Sequence, residues 1–88
     1  MDLERAIEEL LEIPELADSP ARARLECAEI VDAAAFITDD IYELRVRVPE
    51  KYRAALREGL KEYARGDLGL YKDYAALLEP DNWETATE

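Results

Sequence analysis

Leu3, Ala6, Ile7, Leu10 and Leu11 recur at steps of one, three and four residues, with Glu4, Glu8, Glu9 and Glu12 around them. An apolar stripe of this period marks an amphipathic helix, and the spacing predicts one over residues 2–13. Pro14 ends it, because the residue before a proline avoids the α region. Residues 14–19 read as a short loop. Ser19-Pro20 then reads as a helix start: the serine hydroxyl accepts a hydrogen bond from an orphan amide, and proline fits the first helical position because no donor is needed there.

From Pro20 the next seam comprises Cys27, Ile30, Ala34, Ile37, Ile41, Leu44 and Val48, in alternating steps of three and four. That is a heptad pattern without a polar break. It predicts one helix from residue 20 to about 47, closed by Pro49. Residues 42–48 carry a second pattern. Tyr42, Leu44, Val46 and Val48 alternate with Glu43, Arg45 and Arg47, which is strand periodicity with β-branched side chains, preceded by a turn at Thr38-Asp39-Asp40. A lone strand needs a partner. The helix is the simpler reading because one seam accounts for 27–48 within a single chain.

Pro49 and Glu50 suit the first turn of a helix over 49–65, with Tyr52, Ala55, Leu56, Leu60 and Tyr63 as its apolar stripe. Gly59 inside that stripe weakens the helix by about 1 kcal/mol relative to alanine and marks a place of close packing. Gly66 is placed as a C-cap and Asp67 as the following N-cap. Leu70, Tyr71, Tyr74, Leu77 and Leu78 form the face of a further helix over 68–79, stopped by Pro80. The expected fold is therefore mainly α: a small bundle of three to four helices in a single domain over 1–79. Residues 80–88 form a polar C-terminal tail, in which Trp83 either folds back or docks on a partner.

Composition adds a charge order to this frame. The 88 residues carry a net charge of −11. Residues 1–40 hold 12 acids against 3 bases, residues 41–66 hold 7 bases against 4 acids, and residues 67–88 hold 6 acids against 1 base. The plain reading is a solvated surface whose sign varies; the sharper one is a basic middle that meets an acidic arm of its own chain or of a second copy. A chain this short buries a limited share of its surface, so a homo-oligomer or a bound partner is a natural source of added stability. The acidic start Met1-Asp2-Leu3-Glu4 is unlike a signal peptide, and no apolar run has membrane-spanning length; a cytoplasmic protein without a membrane partner is the expectation.

The chemistry-bearing residues are few. There is no histidine, which removes the commonest general base and transition-metal ligand. The single serine, Ser19, is assigned to a helix cap. The single cysteine, Cys27, lies on the seam and reads as a buried, inert thiol. No glycine spacing matches a phosphate loop. No cofactor is expected, and the composition points to a non-enzymatic interaction or regulatory module with a protein partner, a homodimer being one arrangement. Ile30, Ile37, Ile41 and Leu44 are the expected core or dimer seam. Arg45, Arg47, Arg53 and Trp83 are the expected partner contacts.

Two segments resemble known families. Glu9-x-x-Glu12 followed by Glu29-x-x-Asp32 resembles the metal-binding helices of MazG-type all-α nucleoside triphosphate pyrophosphatases. The resemblance implies that Glu9, Glu12, Glu29 and Asp32 converge on Mg²⁺ holding a triphosphate. Tyr42-Glu-Leu-Arg-Val-Arg-Val-Pro-Glu50, followed by an amphipathic helix, resembles the ribbon–helix–helix regulators found as antitoxins. There two strands pair across a dimer and enter the DNA major groove, so that Arg45 and Arg47 would read bases or phosphates and Leu44, Val46 and Val48 would pack inward. Nucleic acid is an expected partner only under this second resemblance, since a net charge of −11 opposes the attraction to phosphate.

Overall fold

A computed structural model describes the backbone of residues 1–86 and the side chains through Trp83. Its helices are α1 (Leu3–Leu10), α2 (Ala21–Glu26), α3 (Ile30–Leu44), α4 (Glu50–Ala64), α5 (Leu68–Leu77) and α6 (Pro80–Ala86), with a 3₁₀ turn at Pro14–Leu16. There is no strand among the described residues. The mainly α architecture expected from the periodicity is the one observed.

Local chemistry sets most of the helix ends. The Asp2 carboxylate accepts from the Arg5 amide at 2.8 Å and caps α1. The Ser19 hydroxyl accepts from the Ala21 amide at 3.1 Å, the capping role assigned to it from sequence. Asp67 caps α5 through the Leu70 amide at 3.0 Å. At the end of α4, Arg65 and Gly66 both turn left-handed, with φ of 51° and 88°, and glycine adopts that conformation without a Cβ clash.

The long helix expected over 20–47 is two helices. Cys27, Ala28 and Glu29 interrupt it: Ala28 is left-handed at φ 60°, and the Glu29 amide reaches back to the Arg24 carbonyl at 2.8 Å. This six-residue closure is a Schellman turn. The physical reason lies in size. A straight helix of that length would measure about 42 Å at 1.5 Å per residue, longer than the molecule's greatest extent of 37 Å. Breaking the chain lets α2 fold back and pack on α3. Cys27 consequently leaves the seam and is exposed, not buried as expected.

The C-terminal end of the seam is also corrected. Helix α3 stops at Leu44, and Arg45 turns left-handed at φ 56° while the Val46 amide bonds the Ile41 carbonyl at 3.0 Å. Leu44 is 54% exposed and outside the core. The strand-like alternation survives without a strand. Val46 and Val48 are buried and Arg45 and Arg47 exposed along an irregular link that forms no ladder with another segment of the described chain.

The core joins Ile7 and Leu10 of α1, Leu16 of the 3₁₀ turn, Ile37 and Ile41 of α3, Leu56 and Leu60 of α4, and Leu78. Ile30 packs against this cluster from its edge. Gly59 lets α4 approach its neighbours: a Cβ there would sit 3.2 Å from the Ala34 Cβ and 2.5 Å from Leu3 Cδ2, which is the close packing its position in the stripe suggested. Within the expected polar tail, Pro80–Ala86 form a helix, and residues 87–88 lie outside the described residues. Proline both stops α5 and serves as the first residue of α6. Trp83 folds back to 4% exposure and donates its indole N–H to the Leu77 carbonyl at 2.6 Å.

Candidate functional site

An open groove of about 1130 Å³ is formed by the ends of four helices. Helix α1 contributes Leu3 and Glu4, with its cap Asp2. The start of α3 contributes Ile30, Val31 and Asp32, preceded by Ala28 and Glu29 of the Schellman turn. Helix α4 brings Glu62 and Tyr63 from its last turn, followed by Arg65, and α5 brings Leu70. The groove exists because the chain breaks at Ala28: the turn sets the start of α3 beside the start of α1 and the end of α4.

Its chemistry is two-layered. Leu3, Ile30, Val31 and Tyr63 are half-buried and present apolar surface, joined by Leu70 at 36% exposure. Asp2, Glu4, Glu29, Asp32 and Glu62 stand along the walls against a single base, Arg65. Of these acids, Glu29 has an ion pair, with Arg24 at 3.0 Å. Part of the acidity suits the helix starts, where carboxylates complement the positive end of the helix dipole. Glu62 lies in the last turn of α4, where that explanation fails.

Tyr63 forms one wall of the groove and of a smaller pocket of about 270 Å³ shared with Phe36 and Tyr74. Tyr63 and Tyr74 meet edge to face at 5.5 Å, and the Arg24 guanidinium lies 5.2 Å over Phe36. Burial pushes the Tyr74 hydroxyl up to about 12, with the nearby Asp39 carboxylate adding to it. Burial also raises Asp39, reinforced by its acidic neighbours Glu43 and Asp40. Tyr74 of α5 and Asp39 of α3 are thus brought together where these two helices pack.

The residues singled out from sequence are dispersed. Among the expected partner contacts, Arg45 is exposed and folds over the Tyr42 ring at 4.3 Å, donating to the Tyr42 carbonyl. Arg47 is exposed on the link between α3 and α4. Arg53 is half-buried and spans Glu50 at 3.3 Å and Glu79 at 3.4 Å. Arg57 joins the same two carboxylates, so the basic middle meets the acidic end of its own chain at Glu79. Trp83 is inside the fold.

The four carboxylates of the pyrophosphatase-like pattern do not converge. Glu29 and Asp32 line the groove, but Glu9 is engaged elsewhere, accepting from the Tyr52 hydroxyl at 2.7 Å and from Arg5 at 2.8 Å. Those bonds hold Glu9 below the usual carboxylate range, the tyrosine contributing most. No three His, Cys, Asp or Glu side chains among the described residues are placed to hold a metal ion.

Leu3, Tyr63 and Leu70 of the groove were read from sequence only as positions on helix stripes and Glu4 as a flanking acid, and neither they nor Glu62 were singled out as partner contacts. They lie in three separate segments, and only the fold brings them to one place. The available signal was negative charge repeated at 2–4, 29–32 and 62. No family model, no curated protein and no solved structure matches the chain.

Proposed function

We propose that this protein is a small non-enzymatic interaction module that binds another protein through its helical surface, and that the groove between α1, α3, α4 and α5 is where it binds. The observation carrying this reading is the incompletely covered apolar surface at the groove. In its lining Leu3, Ile30, Val31 and Tyr63 are only half-buried and Leu70 is 36% exposed; helix α5, which carries Leu70, has no buried residue, and its Leu68, outside the lining, is 69% exposed. Apolar surface rimmed by polar groups is the usual mark of an interaction site. The breadth of the groove also suits a macromolecular segment, since small-molecule sites enclose most of their ligand. No helix of the described residues is long and apolar enough to cross a membrane.

Site-specific photo-crosslinking in the source cells tests the reading. A benzoyl-phenylalanine in place of Leu70 is expected to trap a discrete protein partner, and the same probe in place of Glu15, on the 3₁₀ turn, is expected to trap none. Equal crosslinking from both positions, or none from position 70, would overturn it.

A further inference from the structure

We infer that the occupant of the groove is a basic amphipathic helix of another protein, its apolar stripe against Leu3, Ile30, Val31 and Leu70 and its lysines or arginines over Glu4 and Glu62. The inference rests on the groove being the binding site and adds the chemistry of what binds there.

Charge complementarity carries the choice. Five carboxylates and one guanidinium line an apolar floor; Glu29 is already paired with Arg24, so the rim's excess of acid is carried by Asp2, Glu4, Asp32 and Glu62. A ligand that buries the floor must bring positive charge to the rim or leave like charges facing each other. A second copy is disfavoured as occupant, because it carries the same −11 and its Arg53 and Arg57 are held by its own Glu50 and Glu79. Nucleic acid brings phosphates to the wrong sign of field. One apolar face laid into a groove, with charges on its flanks, is an established recognition mode. Attraction between the rim and the helix also speeds encounter and makes binding fall with salt.

The test uses the full chain, isotope-labelled for amide NMR, and three synthetic peptides of about three helical turns. All carry one leucine stripe; the polar face is lysine in the first, glutamine in the second and glutamate in the third. The lysine peptide is expected to bind most tightly and to shift the amides of Leu3, Ile30, Val31 and Leu70. The double variant Glu4→Lys/Glu62→Lys is expected to weaken it about tenfold, because reversal turns two attractive contacts at the rim into repulsive ones. Glu12→Lys/Glu15→Lys changes net charge equally outside the groove and is expected to alter affinity less than about twofold. Circular dichroism of both variants establishes that they remain folded.

If the glutamine or glutamate peptide binds the groove as tightly and the Glu4/Glu62 reversal changes nothing, the basic helix is refuted while the groove stands as the site. If no peptide shifts the groove amides, or the shifts centre elsewhere, both the site and its occupant are refuted. Groove shifts that grow with protein concentration in the absence of peptide would assign the groove to a second copy and overturn the inference.

Discussion

Replacing Ala28 with glycine separates the broken helix from the continuous one that the apolar seam suggests. Ala28 is exposed and left-handed, and the turn it makes is closed by the Glu29 amide on the Arg24 carbonyl. An L-residue in this conformation is strained by about 1–2 kcal/mol through its Cβ. Glycine removes the strain but gives the unfolded chain more freedom, an offset of about 0.4–1 kcal/mol. The net expectation for Ala28→Gly is a gain of about 0.5–1 kcal/mol. For a domain of this size that is a rise of roughly 2–8 °C in Tm. Ala28→Val should lose at least about 1 kcal/mol, since a β-branched side chain tolerates positive φ poorly. In a continuous helix the glycine effect changes sign, because glycine in a helix interior is about 1 kcal/mol worse than alanine. Urea unfolding followed by circular dichroism reads the difference as a shift in midpoint at constant slope. A glycine variant less stable than the parent would refute the break at Ala28, and with it the geometry of the groove.

Three further outcomes follow from the packing and the titrating groups. Ile41→Ala should cost about 2–5 kcal/mol and Leu44→Ala under about 0.5 kcal/mol, as Ile41 is fully buried and Leu44 is 54% exposed; comparable losses in urea unfolding would contradict the end of α3. Trp83→Ala should lose about 3 kcal/mol or more, and the parent's tryptophan emission should be blue-shifted and shielded from acrylamide until global unfolding; ready quenching in the folded state would put the indole outside the fold. Asp39→Asn should stabilise the protein near neutral pH. The folded Asp39 carboxyl is raised above 3.8 by burial first and by Glu43 and Asp40 next, so ionising it opposes folding as pH rises through and beyond that value. The advantage of the asparagine should shrink as pH falls toward and below 3.8, and a benefit independent of pH would refute the assignment.

Much of the fold is legible in the sequence because helix periodicity and capping are local. The stripe at Leu3–Leu11 and the one at Tyr52–Tyr63 locate α1 and α4 within a few residues, and Ser19, Gly66 and Asp67 act at the ends where their chemistry places them. Gly59 signals a close helix contact because a glycine inside a stripe has little other reason to be there. The seam from Cys27 to Val48 misleads for a physical reason. Its three-four spacing is compatible with a straight helix, and no proline or glycine marks Ala28 as a break. The break comes from tertiary packing of α2 on α3, which outweighs a left-handed alanine. The alternation at 42–48 holds only at its end: Val46 and Val48 face inward and Arg45 and Arg47 outward, while Leu44 is exposed at the end of α3, and burial of the two valines needs only an extended link and not a paired strand.

The groove is the least legible part. Its apolar floor and acidic walls come from residues 2–4, 28–32, 62–65 and 70, and no local rule joins such distant positions. The sequence by itself determined a helical chain, its caps, its stripes and its surplus of acid, because these depend on neighbours within a turn or two and on composition. The tertiary structure decided that Cys27 and Leu44 lie outside the core, that Trp83 lies inside it, and that Glu4, Asp32 and Glu62 share one rim. Those outcomes depend on which helix ends meet, and that is set by burying the faces of several helices at once.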